Sequence, residues 1–115
     1  MGLLTKSNNK NQDCIDACNH CEQACYECFD QCLLEQDVAN RVDCLKALIE
    51  CAVMCQMAVA LLSLKSQSAM DHCTLCANVC QKCAMECEAF DDLHCKDCAT
   101  SAKKCATECN KVEGW

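Results

Sequence analysis

Cysteines stand at positions 14, 18, 21, 25, 28 and 32, separated by steps of four, three, four, three and four residues. Steps averaging 3.5 residues return to one face of an α-helix. The stretch CIDACNHCEQACYECFDQC therefore carries thiols where a coiled-coil seam would carry leucine or isoleucine. The rhythm recurs three times. Cys44, Cys51 and Cys55 keep it with Leu48 in the vacant step. Cys73, Cys76, Cys80, Cys83 and Cys87 keep it unbroken, and Cys95, Cys98, Cys105 and Cys109 keep it with Ala102 in the gap. These four series account for all 18 cysteines of the chain. Seven pairs at i, i+4 and five at i, i+3 hold sulfurs one helical turn apart, close enough for two of them to grip one small soft ion.

The number of sulfurs an ion needs decides which ion that is. Cu(I) is soft and content with two or three thiolates, whereas structural zinc takes four ligands in a tetrahedron. Along a helical stripe, two-sulfur sites joined by bridging thiolates form readily. One Cu(I) per thiol, roughly 18 ions, leaves the filled core nearly neutral. Zinc would leave it charged. The expected cargo is thus many Cu(I) ions per chain, held by all the cysteines named above, with protons released on loading and affinity rising with pH. Other uses fit less well. A zinc- or cadmium-sequestering chain of the metallothionein sort folds around its metal, whereas this pattern is helical by itself. Iron–sulfur electron-transfer and thiol redox proteins draw cysteines from loops that wrap a cluster, and the stripes leave no such loop. Disulfides inside one helix meet bonding geometry only with strain. As plain small apolar residues the thiols would be better replaced by alanine or leucine, which carry no oxidation risk.

To present four stripes to one another the chain must fold as four helices. There is no proline, and the only glycines are Gly2 and Gly114, so nothing internal breaks a helix. The pattern predicts an all-α, antiparallel up-down four-helix bundle with a cysteine-lined core. Its helices run over about 13–34, 38–64, 69–89 and 92–111, behind a flexible polar leader (1–12) and before a short tail (112–115). Asp16, Glu22, Gln23, Glu27, Asp30 and Gln31 make the solvated side of the first helix. Ser68 with Asp71 reads as a capping pair for the third, and Asp91 or Asp92 as the cap of the fourth. The second helix is apolar well away from its thiols, through Leu45, Ile49, Ala52, Val53, Val59, Ala60 and Leu64. A membrane span over 47–64 is disfavoured by Glu50 and Gln56, so the extra face predicts a contact between subunits.

Stacking the helices by turn places Cys14, Cys55, Cys73 and Cys109 at one end, stoppered by Ala58, Val59, Leu62 and Met70. Cys32, Cys87 and Cys95 come to the other, wetter end near Asp91 and His94. Copper is expected to enter beside His94, whose imidazole can serve as a docking ligand. His72, Met54, Met57 and Met70 are secondary ligand candidates, His20 reads as a surface residue, and Met85 lies off the stripe. A formal net charge of −7 excludes nucleic acid and anionic membrane as main partners. The opening residues MGLLTKSNNKNQ carry neither an apolar signal run nor twin arginines, which points to the cytoplasm. No constellation of acid, base and nucleophile suggests an enzyme.

From Cys14 to Cys109 the four cysteine-striped helices with their Cys-x-x-x-Cys pairs resemble the bacterial copper storage proteins, specifically the cytosolic branch. The resemblance implies a four-helix bundle that fills with Cu(I) along its inner face and assembles as a homotetramer. A copper chaperone or chelator is then expected as donor or recipient.

Overall fold

A computed structural model describes residues 2–4 and 8–115 and builds the chain from four long helices. They are α1 (Gln12–Leu33), α2 (Val42–Ser63), α3 (Ala69–Glu88) and α4 (Leu93–Cys109), with a 3-10 turn at Val38–Asn40 between the first two. α1 and α3 each pack on both α2 and α4, so the four form a square antiparallel bundle about 49 Å long. All eighteen thiols point into its axis, and Leu48 and Ala102, which fill the vacant steps, are fully buried beside them. Alanines complete the inner face. Ala17, Ala47, Ala52, Ala77, Ala84, Ala99 and Ala106 are buried where a larger side chain would push the helices apart.

Three boundary features differ from the sequence reading. The second helix begins at Val42 rather than Val38, because residues 38–40 close a tight 3-10 turn and Arg41 folds back to bond the Asp37 carboxylate at 2.7 Å. The last residues of the polar leader are anchored: Asn9 and Asn11 are buried, the Asn9 side-chain amide donates to the Leu62 carbonyl at 3.0 Å, and that of Asn11 donates to the Glu113 carbonyl at 2.9 Å. Neither Ser68 nor Asp92 caps its helix through its side chain. Asp92 has the extended backbone of a cap residue, but its carboxylate is taken by Arg41.

α2 ends in a two-bond Schellman turn. The Ser66 N–H donates to the Leu61 carbonyl at 2.9 Å and the Lys65 N–H to the Leu62 carbonyl at 3.2 Å, with Lys65 in the left-handed region at φ 54°. Glycine usually takes that place, and a lysine there costs about 1 kcal/mol. By length and composition α2 is also the one described helix that could cross a bilayer. In this fold its thiol face closes the bundle instead.

Candidate metal centre

Helix periodicity alone aims the sulfurs inward; the close approach of the helices brings them together. All eighteen cysteines are free and buried. Sulfurs from different helices lie at van der Waals distance: Cys14 to Cys109 at 3.6 Å, Cys18 to Cys105 at 3.6 Å, Cys21 to Cys51 at 3.7 Å, Cys51 to Cys80 at 3.5 Å and Cys55 to Cys105 at 3.7 Å. A disulfide would require about 2.05 Å. Three sulfurs around one ion at a metal–thiolate distance of about 2.3 Å, the value for zinc, would sit about 4.0 Å apart, so trigonal sites fit with little movement.

The sulfurs group into overlapping sets along the axis. Cys14, Cys73 and Cys109 form one; Cys18, Cys76, Cys105 and Cys109 the next; Cys21, Cys55, Cys80 and Cys105 another; Cys21, Cys25 and Cys51 a fourth. Cys109, Cys105 and Cys21 each belong to two sets, as bridging ligands must. Four thiolates on a zinc ion would leave each such set with excess negative charge in a low-dielectric core, while monovalent ions sharing the same sulfurs bring it near neutrality. Cys55 belongs to the third of these sets, deeper than the end layer where the sequence reading placed it. α2 runs on past its last thiol, and Ala58 and Leu62, both fully buried, occupy the outer layers.

At the opposite pole Cys28, Cys32, Cys95 and His94 form a mixed set. His94 Nδ1 is 3.5 Å from the Cys28 sulfur and 3.6 Å from that of Cys95, and Nε2 is 3.1 Å from the Glu35 carboxylate. With Nε2–H donating to Glu35, the lone pair of Nδ1 faces the sulfurs, the usual support for a ligating imidazole. Cys44 and Cys87 pair at 3.9 Å nearby. Burial and the neighbouring Cys32 charge push the Cys95 thiol up to about 12. The hydrogen bond with Cys87 together with burial raises that of Cys44.

Arg41 carried no signal in the sequence beyond being a cation at a helix start, yet it organises this pole. Buried at 4 % exposure, it pairs with Asp37 and Asp92, donates to the Cys32 and Cys95 sulfurs at 3.6 Å each, and stacks on Phe90 at 4.2 Å. Burial disfavours its charge, but the hydrogen bonds it donates to Asp37 and Asp92 outweigh that and raise its pKa; the contact with Arg41 lowers that of Asp92.

The secondary candidates separate. His94 joins a thiol set. His72 Nε2 donates to the Met54 carbonyl at 2.8 Å, which commits that nitrogen to the backbone. Met54 is partly buried against the core. Met57 and Met70 turn outward at about half exposure, Met70 resting beside Gly114, so the apolar stopper consists of Ala58 and Leu62 with Val59 partly buried against the core, and without Met70. His20 is exposed, its Nδ1 2.9 Å from the Ser101 hydroxyl.

Residues 7–114 match the family model described as copper storage protein, Csp. The chain belongs to the copper storage protein family. A Bacillus subtilis (strain 168) cysteine-rich protein, YhjQ, is 37% identical over 78 residues, covering 68% of this chain and 72% of the relative. Among solved structures, the Cu(I)-bound copper storage protein BsCsp3 is 37% identical, covers 87% of this chain and 94% of its own, and superposes with a TM-score of 0.82. A cytosolic copper storage protein from Streptomyces lividans, captured with five coppers, is 33% identical with 88% and 89% covered and a TM-score of 0.84. Cu(I) storage by cysteine thiolates in a helical bundle is the family's function, and the overlapping thiol sets could hold several ions to a chain.

Proposed function

We propose that this copper storage protein is a soluble, non-enzymatic cytoplasmic reservoir in which all eighteen thiolates ligate Cu(I), with His94 as the docking ligand and Met54 as an auxiliary one. One observation carries the reading: every cysteine is free and buried, and the overlapping sets extend from Cys14, Cys73 and Cys109 to Cys28, Cys32, His94 and Cys95. A column of shared sulfurs suits monovalent ions that bridge. The S. lividans relative, described as cytosolic, supports the compartment. A copper chaperone or a small chelator is the donor or recipient.

Anaerobic titration of reduced, metal-free protein with Cu(I) against a competing chelator tests the capacity. Saturation is expected near one ion per thiol, about 18. A plateau at a few equivalents would defeat the reading.

The chain also assembles, as a homotetramer, through the outer face of α2. Val42, Ile49, Val53 and Met57 are exposed there, and Phe29 of α1 adds to an apolar groove with Val42, Leu45 and Ile49. Such a patch on a small protein is ordinarily covered. Ile49→Glu with Val53→Glu should convert the assembly to monomers with little loss of helix, as read by sedimentation and circular dichroism. An unchanged sedimentation coefficient would remove α2 from the interface.

A further inference from the structure

Two routes lead from solvent to the sulfurs at the His94 pole, and the axial one is stoppered. The Arg41 guanidinium lies over Cys32 and Cys95, held by Asp37 and Asp92 and backed by Phe90. Its partners come from α1, from both connections at that end and from α4, and its fixed charge repels an arriving cation. The lateral route is open. Between α1 and α4 runs a groove of about 690 Å³ whose lining reaches Cys28 and Cys98 and includes His94, Glu27, Asp30 and Asp97, with no lysine or arginine. Ala24 leaves room between the helices where a larger side chain would fill the space. Unlike the four all-cysteine sets described above, the set of Cys28, Cys32, Cys95 and His94 has a member in reach of solvent: His94 is 21 % exposed while the three cysteines are buried.

We infer that the α1–α4 groove is the port through which Cu(I) is admitted. Its carboxylates draw the cation, and His94 Nδ1 and the Cys28 sulfur receive it. Cys98, 3.9 Å from Cys25, then passes it into the column. Each step is a ligand exchange at Cu(I): the incoming thiol gives up its proton as its sulfur bonds the metal, a departing imidazole leaves neutral while a departing thiolate takes a proton back, and no electron moves. The inference rests on the storage reading and concerns the route alone.

Stopped-flow mixing of reduced, metal-free protein with Cu(I) as its acetonitrile complex, followed by thiolate-to-copper absorbance, separates the routes. Ala24→Phe, which fills the groove, should slow uptake about tenfold with the final count unchanged. Glu27→Gln with Asp30→Asn and Asp97→Asn should slow it about tenfold at low salt and flatten its salt dependence. Arg41→Gln, which unstops the axis, should not accelerate it. Unchanged rates in both groove variants, or acceleration confined to Arg41→Gln, would overturn the inference. Should Ala24→Phe lose helix, the carboxylate variant decides alone, since exposed acids contribute little to folding. A wild-type count of only a few ions would sink the storage reading instead, and the rates would still discriminate between the routes.

Discussion

Metal-free, reduced protein moved from pH 7 to about pH 11 should lose its cooperative thermal transition, and Cu(I)-loaded protein should keep it. The core of the empty bundle is apolar only while its thiols hold their protons. Burial and the Cys32 charge push Cys95 up to about 12. Hydrogen bonds with Cys87 and Cys98 and burial raise Cys28, and Cys44 is raised by Cys87 and burial. In the unfolded chain a thiol ionises near 8.5. A folded pKa above the unfolded one means that the stabilisation is complete below about 8.5 and drains away as pH climbs toward about 12. Hydrogen bonds between sulfurs lower Cys14, Cys21, Cys51, Cys76, Cys98 and Cys105 as they raise other thiols, but burial raises every one of them and the raised thiols outnumber the lowered eleven to six, so the net loss on ionisation falls at alkaline pH. In the loaded state copper replaces the protons and this ionisation disappears. Circular dichroism melts at pH 7, 9 and 11, with and without copper, make the comparison. Lysine deprotonation affects both samples alike, so a metal-free transition unmoved at pH 11 would argue against a neutral thiol core.

Serine at Cys21, Cys55, Cys80 and Cys105 together should remove at least about four copper equivalents, and more if bridges to neighbouring sets are lost with them. These four form one set across the bundle, and Cys21 and Cys105 are shared with the sets on either side. A hydroxyl is a poor ligand for a soft ion but can bond back to the carbonyl four residues earlier, so the helices should persist at a lower melting temperature. Native mass spectrometry of the saturated protein reads the count. Replacing the exposed Met57, Met70 and Met85 by alanine is the matched control and should remove none. A serine variant that fills to the wild-type number would show that these sulfurs are packing material.

Much of the architecture was legible because the thiols themselves carry the period. Leu48 and Ala102 were placed in the core by the rhythm of their neighbours, and both are fully buried. The ends were harder, since what decides them is long-range. Asn9 bonds a carbonyl 53 residues away and Asn11 one 102 residues away, and neither has a periodic neighbour to reveal it. The start of α2 was misplaced because residues 38–41 contain no helix breaker; it is Arg41, reaching to Asp37 and across to Asp92, that turns the chain there. Stacking by turn puts Cys55 in the end layer only where the helices end level, whereas α2 overhangs its last thiol by two turns of mostly apolar residues. His94 was found from its type and position alone, while its orientation depends on Glu35, 59 residues distant.

Residues 9–11 and 113–115 converge on the Leu62 pole, where Asn9 holds the Leu62 carbonyl, Asn11 and Glu113 exchange two hydrogen bonds, and the Trp115 indole donates to Ser66 between the Lys10 and Lys65 ammonium groups. A bead, an electrode or a fluorescent label joined at Lys10 or at Trp115 is therefore fastened at the same side of the molecule. The protein so tethered stands with its histidine-bearing tip facing the bulk solution, oriented alike whichever of the two residues is used.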